Sequence, residues 1–257
     1  ETADLRTLDW SKVAALLLTP GVPLTHPEPH WSVRLAQQAG VEVIGDIELF
    51  CRERRRLAPR APFIAITGTN GKSTTTALTA HLLAAAGREV QIGGNIGIPV
   101  LDLARLGAEG TYVLELSSYQ LERIPAVALD VAVLLNITPD HLDRHGSMDG
   151  YIAAKRRVLL NQGKGDTAVI GVDDPWCQQI CTEITSTAAQ TVWPISSGRA
   201  MGRGVYALEG VLYDATTSRV TEVADLFHAH GLPGKHNWQN AAAAYAAARA
   251  LGVSTED

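Results

Sequence analysis

The chain has 257 residues, 46% hydrophobic and 19% charged, with a formal net charge of −5. That length suits one large domain or two medium ones, and the composition is that of an ordinary globular protein, which excludes a disordered chain. The acidic balance argues against a nucleic-acid partner, but not against a small anionic ligand held by local cations and backbone N–H groups.

Residues 14–18 form an apolar, strand-like run. Thr19-Pro20-Gly21-Val22-Pro23 stops it, because two prolines and a glycine force a turn. The pattern predicts a helix over 31–39 ending at Gly40, a short strand over 41–44, and an arginine-rich helix capped by Asp46. Residues 1–60 thus read as a βαβ-type, partial Rossmann-like unit that begins mid-fold. Pro59 and Pro62 bracket a linker, and 61–257 form a second unit. Its apolar runs at 63–66, 111–116, 131–135 and 167–172 read as buried parallel strands, with helices predicted over 73–86 and 148–160. The fold class is therefore α/β, a doubly wound, mostly parallel sheet with ligands at the C-terminal strand ends. After Thr191, short β-type pieces near 204–206, 211–213 and 220–223 predict an added small β-sheet, and a helix over 237–251 follows.

Cys51, Cys177 and Cys181 are an odd number in a chain too long to need disulfide staples, which fits a reducing compartment. Cys177 and Cys181 stand four apart, can share a helix face, and read as packed or surface thiols rather than zinc ligands. No apolar run reaches the roughly 20 residues that span a bilayer, and Glu1 opens no signal peptide. No membrane partner and a cytoplasmic location are expected.

The strand ending at Thr67 leads into Gly68-Thr69-Asn70-Gly71-Lys72-Ser73-Thr74 and then a helix. Glycines let the backbone turn its N–H groups around phosphate oxygens, and the helix points its positive end at them. Lys72 supplies a mobile cation for the outer phosphates, and the Ser73 hydroxyl suits Mg²⁺. Ile66 stands where the usual phosphate loop has its first glycine. Glu115 lies inside a strand-like run and needs a partner, for which Mg²⁺ beside such a loop is the natural choice. His141 follows the next strand, where a neutral imidazole can ligate a metal and a flanking Asp can orient it; it also fits a plain surface loop. Lys155 falls within the apolar stripe of Tyr151, Ile152, Val158 and Leu159, so it must either snorkel or meet a negative partner.

Several segments together resemble the Mur ligase family, nearest its glutamate-adding members. They are the loop from Gly68 to Ser73; Leu114-Glu115-Leu116-Ser117-Ser118-Tyr119-Gln120-Leu121-Glu122; Asp140-His141-Leu142-Asp143-Arg144; and Ala153-Ala154-Lys155. Gly93-Gly94-Asn95-Ile96-Gly97-Ile98-Pro99, Thr19-Pro20-Gly21 and the run from Gly234 to Asn240 also resemble family segments. The resemblance implies ATP with two Mg²⁺ ions. Gly68, Thr69, Asn70, Gly71, Lys72, Ser73 and Thr74 would hold the phosphates, and Asn237 and Asn240 the adenine; Asn237 can also cap its helix. Ser73, Glu115, His141 and a carbamylated Lys155 would serve the metals, with Lys72, His141 and Lys155 catalytic. Gly21, Asn95, Ser117, Gln120 and His141 would face the substrate. The implied substrates are UDP-N-acetylmuramoyl-L-alanine and D-glutamate, joined through an acyl phosphate by a monomeric enzyme. The family has three domains, so residues 1–60 would be part of the UDP-substrate domain and 61–257 the ATP-binding domain, with the amino-acid-binding domain absent and the chain alone inactive. Two rivals are a folylpolyglutamate-synthase-type ligase and a nucleotide-binding module without ligase chemistry. The stretch around Glu115 argues against the first, and Asn95 with an inward Lys155 against the second.

Overall fold

Residues 4–187 and 189–254 are described by the computed structural model; residues 1–3 and 255–257, at the outer ends of the two expected units, lie outside it. In chain order the elements are β1 (Ala15–Leu17), α1 (Trp31–Gln38), β2 (Glu42–Ile44), α2 (Asp46–Leu57), β3 (Phe63–Thr67), α3 (Lys72–Ala85), β4 (Val90–Gly94), β5 (Thr111–Glu115), α4 (Ser118–Leu121) and β6 (Val131–Leu134). Then come α5 (Leu142–His145), α6 (Met148–Arg156), β7 (Thr167–Gly171), α7 (Pro175–Thr187), β8 (Thr191–Ser196), β9 (Gly204–Leu208), β10 (Val211–Ala215), β11 (Thr221–Asp225) and α8 (Lys235–Ala250).

β1 and β2 form a parallel pair, and the other strands form one nine-stranded sheet in the order β11-β10-β9-β8-β7-β6-β3-β5-β4. From β4 to β9 every neighbour is parallel. β3, β5, β6 and β7 are buried at every residue, which is why their sequences are continuous apolar runs rather than alternating ones. Alternate residues serve two cores. Ile64, Ile66, Val113, Val131 and Val133 face α3 and the alanine-rich α8. Phe63, Ala65, Tyr112, Leu114 and Ala132 face α2, the Tyr151–Leu159 region and α7. Alanines along α8 let its backbone approach α3 and the sheet closely.

α2, N-terminal to the boundary expected near residue 60, belongs to the second core. Phe50 lies 5.8 Å from the Phe63 ring and edge-on to Tyr112 at 5.3 Å. The β2–α2 junction also ties to the sheet domain, Gly45 N donating to Arg123 O.

The chain departs from the sequence expectations in several places. The late β pieces do not make a sheet of their own: β9 pairs with β8 through Ile195↔Val205 and Ser196↔Tyr206, and β10 and β11 extend the same edge antiparallel. Glu209 and Gly210, both at positive φ, turn the β9–β10 hairpin with the twist its strands need. Gly93 and Gly94, expected in a loop, end strand β4 and pair with Leu114 and Glu115. The helix expected over 148–160 is α-helical only to Arg156 and tightens into a 3₁₀ turn at Arg157–Leu159. Asp46 is not the cap of α2; Gly45 holds that position and Asp46 sits in the first turn, still well placed against the helix dipole. Cys51, Cys177 and Cys181 are buried free thiols.

β3 is the topological switch point. The chain passes from it to β4 and β5 on one side and crosses to β6, β7 and β8 on the other, so a crevice opens where the loops after β3, β5 and β6 separate.

Candidate active site

The turn after β3 is built for close approach. Gly71 has φ 84° and caps α3 in the left-handed region, where a Cβ would meet Asn240 Oδ1 at 2.2 Å. Asn136, after β6, clamps the turn twice: Asn70 N donates to its Oδ1 at 2.9 Å, and its Nδ2 donates to Asn70 O at 3.1 Å. Thr69 Oγ1 donates to Thr138 O at 3.2 Å and accepts from Thr138 N at 3.0 Å. Its single proton being used, the Tyr151 hydroxyl 3.0 Å away is the donor to Thr69.

Lys72 folds back over this turn, its Nζ donating to Gly68 O at 3.1 Å and Thr69 O at 3.0 Å. Lys155, only 2% exposed, reaches the same place from α6 and donates to Gly68 O at 2.8 Å. It neither snorkels nor meets a carboxylate. It meets a loop carbonyl that already accepts from a second ammonium. Burial above all, and then the charge of Lys72, pull Lys155 down to about 7.

Glu115, at the end of β5 and 1% exposed, has two partners: the Ser73 hydroxyl donates to Oε2 and Asn95 Nδ2 to Oε1, each at 2.8 Å. Asn95 N also donates to Glu115 O at 2.8 Å. Gly94 permits this approach, since a Cβ there would lie 2.2 Å from that carbonyl and its φ is 101°. Ser117 and Gln120 form a capping box on α4, Gln120 Oε1 accepting from Ser117 N at 3.0 Å. His141 takes a left-handed conformation (φ 50°), about half exposed, with Nε2 3.3 Å from Asp140 Oδ2. Asp140 is thus the flanking carboxylate that orients the ring.

Lys72, Asn95, Ser117, Gln120, His141 and Lys155 line one cavity of about 340 Å³, while Ser73 and Glu115 stand behind its wall. Lys72 and Lys155 form its phosphate-loop side, Gly94 and Asn95 one wall, and Ser117 to Gln120 another. Asp140, His141 and Tyr151 close it, and Pro20 reaches it from the loop after β1. Gly21 itself is exposed with no atom near its Cβ position; its neighbour Pro20 makes the wall. Thr74 is exposed in the first turn of α3. Asn237 and Asn240 lie together in the first turns of α8, Asn240 Nδ2 donating to Asn237 Oδ1 at 3.0 Å. Asn237 does not cap that helix: Gly234 holds the cap position at φ 87°, and Asn237 Nδ2 donates back to Pro233 O at 2.7 Å.

Among the described residues no group of three or more His, Cys, Asp or Glu is gathered to hold a metal ion. Mg²⁺ at a nucleotide needs only one or two protein oxygens, because phosphates and waters complete its octahedron. The Ser73 hydroxyl against the buried Glu115 carboxylate is such a pair, so the residues present fit the ion. Sequence reading did not find Asn136, Tyr151 or Pro20 as parts of the site. Asn136 opens the Asn-Ile-Thr-Pro-Asp-His segment and Pro20 stands in the family-like Thr19-Pro20-Gly21 run, so both stood within reach, whereas Tyr151 read as one more apolar stripe residue.

Residues 66–248 match the Mur ligase middle domain. UDP-N-acetylmuramoylalanine–D-glutamate ligase of Caulobacter vibrioides is 67% identical over 99% of this chain and 54% of that protein. The same-named protein of Brucella abortus is 51% identical over 100% of this chain and 54% of its own length. The chain therefore spans about half the length of the curated relatives it matches. UDP-N-acetylmuramoyl-L-alanyl-D-glutamate–2,6-diaminopimelate ligase has a solved structure that superposes with a TM-score of 0.63 at 21% identity, covering 97% of this chain and 60% of that one. MurF ligase from Thermotoga maritima, solved in complex with ADP, gives 0.57 at 19% identity over 98% and 65%. At those identities the solved structures share the fold, a mixed α/β domain around a mostly parallel sheet. The domain match together with two-thirds identity along nearly the whole sequence establishes that this chain belongs to the Mur ligase family.

Proposed function

We propose that this chain carries the nucleotide site and most of the acceptor site of an ATP-dependent ligase that joins D-glutamate to UDP-N-acetylmuramoyl-L-alanine in peptidoglycan precursor synthesis. One observation carries the reading. Glu115 holds Ser73 of the phosphate loop and Asn95 of the glycine-rich wall at once, so the phosphate and acceptor sides meet at one buried carboxylate. The names of the relatives support the choice of substrates. Residues 61–257 would form the ATP-binding domain and 1–60 part of the UDP-substrate domain, in a monomeric cytoplasmic enzyme.

In this reading the acceptor carboxylate takes the terminal phosphoryl group of ATP, and the amine of glutamate then attacks the acyl phosphate carbonyl, forming the amide and releasing phosphate. Lys72 leaves the carbonyls of Gly68 and Thr69 to neutralise charge on the transferring group. Gly68 to Thr74 wrap the phosphates, while Asn237 and Asn240 face the adenine. Asn95, Ser117 and Gln120 orient the acceptor, with Gly21 beside its uridine nucleotide. Ser73, Glu115 and His141 would hold two Mg²⁺ ions, which when bound stabilise negative charge on the phosphates. Lys155, part neutral near pH 7, is placed for carbamylation, which would turn a buried ammonium into a further anionic ligand. Replacing Lys72 with Ala in the full-length protein abolishes acceptor-dependent phosphate release from ATP; retained turnover would refute the assignment.

A further inference from the structure

The stretch from Ser117 to Gln120 lines the cavity, but the Glu122 carboxylate that ends the same motif does not. Glu122 Oε2 makes no hydrogen bond and lies 3.6 Å from Arg123 Nη1 and 3.5 Å from Arg144 Nη2. Its Oε1 is 3.1 Å from His145 Nδ1. Arg123, Arg144 and His145 are all buried. One carboxylate facing two guanidiniums and an imidazole away from water is a costly cluster, and helix packing alone would be better served by apolar residues.

Both guanidiniums also reach the loop between β1 and α1, while Arg123 Nη1 donates to Tyr119 O. Arg123 Nη2 donates to Val22 O, Arg144 Nη2 donates to the same carbonyl at 3.3 Å, and Arg144 Nη1 donates to His26 O at 3.2 Å. Gly146, after α5, lies close beneath that loop, since a Cβ there would sit 2.9 Å from His26 Nδ1. The loop carries Pro20 into the cavity wall. From behind, the cluster also grips the wall opposite: Arg144 lies over the Tyr119 ring at 5.2 Å, and His145 Nε2 is 2.9 Å from Ser118 Oγ. Burial pulls the Arg123 guanidinium down to about 10, a pull that Glu122 and Asp46 oppose and Arg144 adds to. The phosphate turn is held instead by Asn136, Tyr151 and Lys155, none of which hydrogen-bonds to Glu122, Arg123 or Arg144; Tyr151 meets the cluster only through the His145 ring, at 5.4 Å.

We infer that Glu122, Arg123 and Arg144 form a latch seating the loop of residues 19–27 as one wall of the cavity, and that they are positioning residues for the acceptor rather than for the nucleotide. The second half of this inference rests on the proposed ligase reading; the first does not.

The test uses the full-length protein with Arg144→Met, Glu122→Gln and the conservative Arg144→Lys. Hydrogen exchange reads the latch without any substrate. The amides of Val22 and His30, bonded to Thr19 O and Pro23 O, exchange about tenfold faster in Arg144→Met, while those of Thr69 and Thr75 are unmoved. Kinetics reads the positioning role. The KM for UDP-N-acetylmuramoyl-L-alanine rises about tenfold, with the KM for ATP and kcat moved by less than about threefold, because charged hydrogen bonds to a substrate-side wall are lost and the phosphate turn is not touched. Arg144→Lys, which reaches only one of the two carbonyls, gives the same pattern at smaller amplitude and decides the matter if Arg144→Met does not fold. Unchanged exchange at Val22 and His30 overturns the latch. Faster exchange with both KM values rising together, or with kcat falling alone, overturns the positioning role. A wild-type protein without acceptor-dependent phosphate release sinks the ligase reading and leaves the exchange result standing by itself.

Discussion

Replacing Lys155 with Met tests the electrostatics of the site directly. Lys155 is 2% exposed, bonded to Gly68 O at 2.8 Å, and drawn from 10.5 to about 7 by burial and then by Lys72. Its pKa is lower folded than unfolded, so between about pH 7 and 10.5 the unfolded chain binds more protons and stability rises with pH. At pH 7 that difference corresponds to about 4 kcal/mol of penalty, at roughly 1.4 kcal/mol per unit and with the folded group half-protonated. Met keeps the apolar stem and removes the charge, at the loss of the bond to Gly68 O and a long one to Thr67 Oγ1 at 3.5 Å, together worth about 1 kcal/mol, while Gly68 O keeps its bond from Lys72. Lys155→Met is therefore more stable by about 3 kcal/mol at pH 7, and the advantage shrinks by about 2 kcal/mol at pH 9. Urea unfolding of both proteins at the two pH values, in magnesium-free buffer purged of carbon dioxide, measures this. Parallel pH dependence of the two proteins would refute the reasoning, because it would mean that Lys155 titrates alike folded and unfolded.

Asn136→Ala removes both bonds to Asn70 and lets the phosphate turn relax. Calorimetric titration with Mg·ATP shows affinity lower by about tenfold or more, at about 1 kcal/mol per bond; undiminished affinity would show that the turn holds its shape without the clamp. Phe50→Ala empties a place between Phe63 and Tyr112 and costs about 3–5 kcal/mol. A thermal melt showing a loss below about 0.5 kcal/mol, the range of ordinary surface substitutions, would mean that α2 is not part of the sheet's core.

The parts of the fold legible in the sequence are those whose burial is uniform. β3, β5, β6 and β7 are enclosed on both faces, so each announces itself as an unbroken apolar run. β4 ends in Gly93 and Gly94, which read as a loop because the demand for glycine there comes from distant groups: Ile98 O and Leu103 at Gly93, and the Glu115 carbonyl on the neighbouring strand at Gly94. The strands after Thr191 were visible as strands, but nothing local says which edge a strand joins; β9 extends the main sheet because β8 leaves its own edge open to pairing. Asn237 illustrates the same limit at the site: an asparagine before an alanine-rich helix looks like a cap, yet the chain turns one residue earlier than Lys235, at Gly234.

By itself the sequence determined the buried strands β3, β5, β6 and β7, the glycine turn with Lys72 and Ser73 behind it, and the inward aim of Lys155, since all of these follow from spacing along the chain, whereas β4, α7 and β8 were not legible in it. Only the tertiary structure decided what those groups face. Glu115 joins Ser73 to Asn95, Asn136 clamps Asn70, Lys155 shares a carbonyl with Lys72, and two buried arginines hold a loop about a hundred residues away in the chain. The reason is physical. Periodicity records which side of an element is dry, whereas a hydrogen bond depends on where a distant backbone comes to rest, and in a parallel sheet that is set by crossover connections rather than by neighbours in sequence.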